Sequence, residues 1–396
     1  MNKPANQFQQ ILFILLGVTI PISIAITNLI IGLIGLSWIL EGNFKNKLNI
    51  IKASKWMRSI FALIGLYALG MFWGEQHINA AWQFQRLALL LVFPIFLTLD
   101  LKQKTIKNAV IAFLISTFIS AVVAISVNLN IILSPREYIG FISNNWAVSA
   151  FMLYNYHNVL LELAFTISLY ILLERKTNHP SLLLLFIVAY AISIFTEPGR
   201  AGQVMFNLVS IFYIIYYSIN RKDILRGFAF FLLLFSFQLL IYNSTSVYKT
   251  RFDAVSNIIK NNGDSGTGKT DDIRYVFVKE SLDRILKKPI LGYGTGSFGT
   301  IFIDEVKSGH DFSKHKTPHN QYLYVWFELG IFGLLLLLSI FFNQIRELFK
   351  MKDGLHRILL PLSFMFLMLV DSYLFIFTLT IAYIYLFTIY SRYQSG

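Results

Sequence analysis

The sequence predicts an all-α polytopic membrane protein with about twelve transmembrane helices and one large polar loop. Of its 396 residues, 56% are hydrophobic and only 14% are charged, whereas soluble domains carry about 25% charged residues. Apolar runs follow one another along the chain, and one polar insert interrupts them. No soluble fold explains this pattern, so we expect a protein whose solvent is largely lipid.

Twelve apolar runs are the candidate spans, because a helix crosses a bilayer with about 20 apolar residues. The first run lacks a small-residue cleavage site after it, so we interpret it as a retained span and not as a signal peptide. The runs lie near residues 10–24, 26–40, 58–74, 84–99, 108–127, 151–173, 181–196, 203–219, 227–243, 320–342, 357–372 and 374–391.

The positions of lysine and arginine predict the orientation. With the N-terminus inside, the inner segments hold nineteen of these residues, whereas the short outer loops hold Arg136 and Arg200, with Arg86 near the start of a span. Cytoplasmic loops carry this positive excess, so we expect both termini in the cytoplasm. The net charge of +13 is mostly this bias, and it does not imply a nucleic-acid partner.

The polar insert covers residues 244–319 and lies outside by parity. Its many basic residues do not contradict this location, because inserts longer than about 60 residues cross the membrane largely regardless of charge. The chain is therefore expected to comprise nine spans in 1–243, the outer loop in 244–319, and three spans in 320–396.

The insert contains "GDSGTGKT", residues 263–270, which fits the phosphate-binding pattern G-x-x-x-x-G-K-[ST]. That motif needs a hydrophobic strand before it and a helix after it, and the preceding "AVSNIIKNN" is a poor buried strand. An outer location also separates it from cytoplasmic nucleotides. We interpret it as a turn before a helix N-terminus and expect no nucleotide partner.

The next segment, "DDIRYVFVKESLDRILKKP", predicts an amphipathic helix that Pro289 ends. Apolar residues recur in it at three- and four-residue spacing, and acidic residues at its start and basic residues at its end suit the helix dipole. A helix of this kind can lie on the outer membrane surface. "GYGTGSFG", residues 292–299, follows, and its glycines permit a tight backbone path.

"PILGYGTGSF" followed by "PHNQYLYVWFELGIFGLLL" resembles the signature of the O-antigen ligase and polymerase superfamily. "FTEPGRAGQ", which contains Arg200, resembles that family's short outer loop with a functional arginine. "DIRYVFVKESLDRILKKPILGYG" resembles its arginine-bearing helix. The resemblance is strong over about residues 196–340, and the length and early spans look more like the ligase branch.

The resemblance implies a GT-C-like fold of about twelve helices with a large periplasmic loop, in the bacterial inner membrane. It implies transfer of a glycan from undecaprenyl diphosphate to a sugar hydroxyl of lipid A–core, with the active site periplasmic. By motif position, the catalytic residues would be Arg200, Arg274 and His319.

These residue types suit that chemistry. Cleaving a glycosyl–diphosphate bond releases a multiply charged leaving group, and the planar fork of arginine binds phosphate oxygens bidentately. The acceptor hydroxyl needs a base, and histidine has a pKa near neutral. Topology places Arg200, Arg274 and His319 at the outer boundary, which is the depth of the carrier phosphates.

Further polar residues are candidate substrate contacts, each with a structural alternative. Arg86 could meet a lipid phosphate, and Arg251 could equally be a solvated loop charge. Asn320 could cap a span. Asp371 is expected at a membrane boundary, where a carboxylate is energetically costly and often functional. The alternative is that water solvates it in the turn between the last two spans. His157 could make an interior polar contact, with Glu162 five residues further on.

We expect no cofactor and no metal. The chain has no cysteine, which excludes disulfides and zinc–thiolate sites. The outer carboxylates are scattered, and neither adjacent pair, Asp271 with Asp272 or Asp304 with Glu305, has the spacing that aims two carboxylates at one ion.

Two alternatives to the ligase stay open. An O-antigen polymerase would use the same donor but extend another lipid-linked chain. A transporter or flippase of lipid-linked sugars belongs to a different class, and it would more often show internal repeats and charged residues inside spans.

Overall fold

The computed structural model describes residues 3–74, 79–133, 135, 149–245, 248–250, 253, 271–305 and 316–393. Within this part of the chain the regular structure is helical and no strand is present. The seven helices before residue 130 are α1 Lys3–Thr19, α2 Ile24–Glu41, α3 Phe44–Ala53, α4 Lys55–Leu69, α5 Ala80–Leu87, α6 Val92–Thr98 and α7 Gln103–Asn128.

The remaining helices continue this numbering, with short 3-10 turns at Gly70–Phe72, Ala88–Leu91 and Tyr373–Phe375. They are α8 Tyr154–Leu173, α9 Pro180–Thr196, α10 Arg200–Asn220, α11 Ile224–Ser244, α12 Asp271–Ile285, α13 Phe298–Glu305, α14 Gln321–Phe349, α15 Gly354–Arg357, α16 Leu359–Leu367 and α17 Phe377–Arg392.

The helices confirm a helical membrane protein. Seven helical segments in the described residues are long and apolar enough to cross a bilayer: α2, Ala80–Thr98, α7, α8, α10, α11 and α14. Two shorter apolar helical segments, Pro180–Thr196 and Gly354–Leu367, accompany them. The predicted runs at 10–24, 58–74 and 374–391 fall on helices of 17, 15 and 16 residues, so the count of twelve spans stays a prediction.

The chain divides into two compact units. The first comprises residues 1–14, 28–108 and 267–396. Within it, α14 packs against α4, and α17 packs against α6. Trp56 of α4, Phe93 of α6 and Phe387 of α17 contact one another edge to face, an arrangement that aromatic rings prefer.

The second unit comprises residues 15–27 and 109–266. Helix α8 lies at its centre and packs against both α9 and α10. Helix α11 packs on α10 and leaves most of its apolar side chains exposed, as expected for a helix that faces lipid.

Helix α12 confirms the helix predicted after residue 270. Of its recurring apolar residues, Phe277 and Ile285 are buried, and so are the polar Ser281 and Arg284, whereas Leu286, directly after the helix, is 70% exposed. Arg284 is retained inside by Glu280 Oε2, 2.7 Å away. The "GDSGTGKT" stretch lies outside the described residues.

Candidate functional site

Asn320 fixes the start of α14. Its side-chain oxygen accepts hydrogen bonds from the backbone N–H groups of Tyr322 and Leu323, both at 3.0 Å, which is the standard side-chain cap of a helix N-terminus. Its amide nitrogen donates to the Leu369 carbonyl at 3.1 Å. Asn320 therefore ties the start of α14 to the segment that follows α16.

His319 lies directly before this cap and contacts Asp371, with 3.1 Å between its Nδ1 and the carboxylate Oδ1. The two side chains are 30% and 17% exposed. The Ser372 backbone N–H donates to the same carboxylate oxygen at 2.7 Å, which orients the carboxylate. A carboxylate at Nδ1 favours the tautomer that carries its proton there, so Nε2 is the nitrogen that can accept one.

The backbone of His319 is in the left-handed region, with φ of 51°. Non-glycine residues are uncommon there, and such residues cluster at functional sites. The ring also contacts Phe277 of α12, with centroids 5.6 Å apart at 66°. The left-handed turn and the Phe277 contact therefore hold the ring beside Asp371.

Arg274 lies one turn before Phe277 on α12. Helix α12 packs against α14, so the helix that carries Arg274 lies against the helix that begins beside His319. The Arg274 side chain lies outside the described residues.

The glycine turn after α12 fits into a break in α14. Gly330 interrupts α14 with φ of 64° and ψ of −164°, a combination essentially confined to glycine. The freed α14 carbonyls of Phe327 and Glu328 accept from the N–H groups of Tyr293 and Gly294, at 2.9 and 2.8 Å. The break in α14 and the turn thus satisfy each other's backbone groups.

Gly330→Ala is expected to destabilise the fold by about 1–3 kcal/mol or more, because a residue with a side chain is strained in this backbone conformation. A Cβ at this position would also lie 2.0 Å from the Ile290 carbonyl oxygen. Thermal unfolding of the purified protein in detergent measures the effect. Gly65→Ala is the matched control, because nothing lies within 4 Å of a Cβ there, and alanine favours a helix. Equal melting temperatures for the two variants would contradict this role of Gly330.

A buried polar network joins this turn to α5. Glu328 Oε1 accepts from the Gly296 backbone N–H at 3.1 Å, and the Tyr324 hydroxyl donates to Gln83 Oε1 at 2.6 Å. All four residues are buried, where unsatisfied polar groups are costly. The network therefore fixes α5 beside α14.

Helix α5 brings cations to the same unit. Both the Arg86 guanidinium carbon and Lys316 Nζ lie over the Trp82 ring, 5.4 and 5.5 Å from its centroid, within the range of cation–π contacts. Arg86 Nε is buried and has no hydrogen-bond partner in the described part of the chain. Trp82 thus brings Arg86 close to the segment that leads into His319.

In the second unit, Arg200 is the first residue of α10, after Gly199. The turn before it is held by Asn158 of α8, since a Cβ at Gly199 would lie 2.8 Å from Asn158 Nδ2. Gln203 of α10 reaches back to the Glu197 carbonyl at 2.9 Å. The backbone that carries Arg200 is thus packed on both sides.

Glu197 begins this turn, and its carboxylate lies in a buried cluster around His157. Its Oε1 is 2.7 Å from His157 Nδ1, and it accepts from the hydroxyls of Ser149 and Ser193 at 2.8 and 3.0 Å. Nε2 of the same histidine contacts Ser120 Oγ at 2.8 Å. His157 and Glu197 are 0% exposed.

The structure joins two of the predicted residues directly, His319 and Asp371, and places Arg86 and the helix of Arg274 in the same unit. His157 pairs with Glu197 and not with Glu162, whose Oε1 accepts from the Thr166 hydroxyl at 2.9 Å instead.

Four residues of the candidate site were not predicted from the sequence. They are Trp82, Lys316, Glu197 and Glu328.

Arg251, which was predicted, lies outside the described residues. Among described residues, no three carboxylate or histidine side chains converge as metal ligands.

Residues 182–338 match the protein-family model described as O-Antigen ligase. Over these residues the chain is similar to the O-antigen ligase family. The matched range contains Arg200, Arg274 and His319, whereas Arg86, His157 and Asp371 lie outside it. No curated protein matches the chain.

Proposed function

We propose that the chain is an O-antigen ligase. It transfers undecaprenyl-diphosphate-linked O-antigen polysaccharide to a sugar hydroxyl of lipid A–core and so completes lipopolysaccharide. The observation that carries this proposal is the family match, because residues 182–338 include all three residues expected to be catalytic. The apolar helices support the proposal, since a polyprenyl-linked donor is anchored in a membrane and an enzyme that uses it must bind it there.

His319 acts as the general base in this proposal. The carboxylate of Asp371, 3.1 Å from Nδ1, holds the proton on that nitrogen, and Nε2 accepts the proton of the acceptor hydroxyl. The acceptor oxygen then forms a bond to the anomeric carbon of the donor. The bond between that carbon and the diphosphate oxygen breaks, and undecaprenyl diphosphate leaves with the bonding pair.

Arg200 and Arg274 bind the diphosphate and stabilise the negative charge that develops on it. Arg86 and Arg251 are further candidate contacts to this anion. Lys316 is another candidate, because its Nζ lies over the ring of Trp82, as the Arg86 guanidinium does. Asn320 supports the site by fixing the start of α14.

The proposed setting is the bacterial inner membrane, with about twelve spans in a GT-C-like arrangement and both termini cytoplasmic. Residues 244–319 form the periplasmic loop between 1–243 and 320–396. The excess of Lys and Arg in the inner segments supports this orientation.

An O-antigen polymerase is the second candidate, because the family match does not distinguish a ligase from a polymerase. A transporter of the same lipid-linked sugars is the third. The buried cluster at His157 favours neither of them over the ligase.

The glycolipid ladder of a deletion strain tests the proposal. Loss of all polymer from lipid A–core, with polymer still built on undecaprenyl diphosphate, is the expected result. Lipid A–core that carries a single repeat unit would instead indicate a polymerase. Accumulation of donor on the cytoplasmic side would indicate a transporter.

We also expect transfer to need no divalent metal. Arginine side chains neutralise the leaving diphosphate directly, and magnesium or manganese would require clustered oxygen ligands. Purified protein with lipid-linked donor and lipid A–core should retain its rate in excess EDTA. Activity lost in EDTA and restored by magnesium or manganese would refute this expectation.

A further inference from the structure

The cluster around His157 is fully buried, and it contacts the turn that carries Arg200. We propose that His157 and Glu197 are positioning residues that set the place of Arg200. This inference rests on the proposed function for its effect on transfer, and it also makes a structural statement that can be tested without donor.

Helix α8 contacts the start of the turn through His157. The Glu197 carboxylate is 2.7 Å from His157 Nδ1 and is three residues before Arg200. Ser149 and Ser193 donate to the same carboxylate oxygen, so Glu197 is fixed from three directions. Since no part of His157 or Glu197 is exposed, neither can touch a substrate without a change in structure.

Asn158, the neighbour of His157, contacts the chain on both sides of the turn. It donates to the Ile194 carbonyl, near the end of α9, at 3.0 Å. A Cβ at Gly202 would lie only 1.7 Å from Asn158 Oδ1, so α10 and α8 approach each other closely just after Arg200. Two adjacent α8 residues thus hold the backbone on both sides of Arg200.

His157 and Glu197 form a buried pair. A histidine and a carboxylate inside a low-dielectric unit interact strongly and directionally, and both ring nitrogens are engaged, Nε2 by Ser120 at 2.8 Å. Replacing the Glu197 carboxylate by an amide would weaken the first anchor of the turn, because an amide oxygen is a poorer acceptor than a carboxylate and the amide N–H groups have no acceptor among the described residues of this cluster. The Asn158 anchor would stay in place. Arg200 would then move relative to the phosphate it binds, and misplacement by about 1 Å can cost about 100-fold in rate.

Steady-state kinetics of Glu197→Gln and His157→Gln test the functional part. We expect kcat/KM for the lipid-linked donor to fall by roughly tenfold to a hundredfold, with the acceptor KM unchanged. In Arg200→Ala, adding either variant should cause no further loss, because residues that act through one group are not additive. Wild-type kinetics in Glu197→Gln, or losses that multiply with that of Arg200→Ala, would overturn the inference.

Glu162→Gln is the matched control. Glu162 is also fully buried on α8, and its carboxylate contacts Thr166 and not the turn. This variant should retain the donor kcat/KM. An equal loss of folded protein and activity in Glu162→Gln, His157→Gln and Glu197→Gln would show only a general need for buried polar groups, and would overturn the positioning role.

A spin label separates failure of this inference from failure of the proposed function. The chain has no cysteine, so Arg200→Cys provides a single labelling site. The label should become more mobile when Glu197→Gln is added and stay unchanged when Glu162→Gln is added. A label that Glu197→Gln does not mobilise would overturn the inference even if the chain proves to be a ligase. A mobilised label, together with no transferase activity in the unsubstituted chain, would refute the proposed function alone.

Discussion

His319→Ala is expected to reduce turnover by about 100- to 10,000-fold, the usual contribution of a general base. The reason is the pairing of Nδ1 with Asp371 Oδ1 at 3.1 Å, which assigns proton acceptance to Nε2. Single-turnover transfer of labelled glycan to lipid A–core measures the effect. Because chemistry and not binding is removed, the donor KM should change little.

Asp371→Asn is the companion variant. An asparagine keeps the volume but lacks the carboxylate that orients the ring, so we expect a smaller loss, roughly tenfold to a hundredfold, as for a hydrogen bond to a charged group. His179→Ala is the matched control for His319→Ala and should keep full activity. His179 is exposed, directly before α9, and is predicted to lie on the cytoplasmic side. A fully active His319→Ala would contradict the base assignment.

Arg200→Lys and Arg274→Lys are each expected to lower donor kcat/KM by roughly tenfold to a hundredfold. A lysine retains the positive charge but loses the planar fork that binds two phosphate oxygens at once. Transfer rates at several donor concentrations measure this loss, and the acceptor KM should be unaffected.

Arg221→Lys is the matched control for these variants. Arg221 directly follows the last residue of α10, the helix that Arg200 begins, and pairs with Glu174 at 2.8 Å. Its replacement should leave transfer unchanged. If Arg200→Lys and Arg274→Lys behave like Arg221→Lys, the diphosphate is held by simple attraction and not by a bidentate fork.

Local sequence signals predicted the elements around His319. The "PHN" motif marks the start of α14, and Asn320 caps it as its residue type favours. The glycines at 292, 294 and 296 all have positive φ, which fits the tight backbone path expected of this glycine-rich stretch. These features depend on short-range backbone chemistry, which a few neighbouring residues determine.

The contacts that hold the site could not be predicted in this way. His157 and Glu197 are 40 residues apart, and nothing in either local segment indicates the partner. The break of α14 at Gly330 could not be predicted either, because a glycine in an apolar run is ordinary in a membrane helix. Glu328 offered one usable signal, since a carboxylate inside an apolar run is often functional or structural.

Reconstituted transfer tests the central claim most directly. The purified chain in lipid nanodiscs is supplied with undecaprenyl-diphosphate-linked polysaccharide, first alone and then with lipid A–core. We predict that donor alone stays unchanged, and that lipid A–core gains polysaccharide while an equal amount of undecaprenyl diphosphate is released. Longer lipid-linked chains from donor alone, or a donor left uncleaved in the presence of lipid A–core, would contradict the ligase.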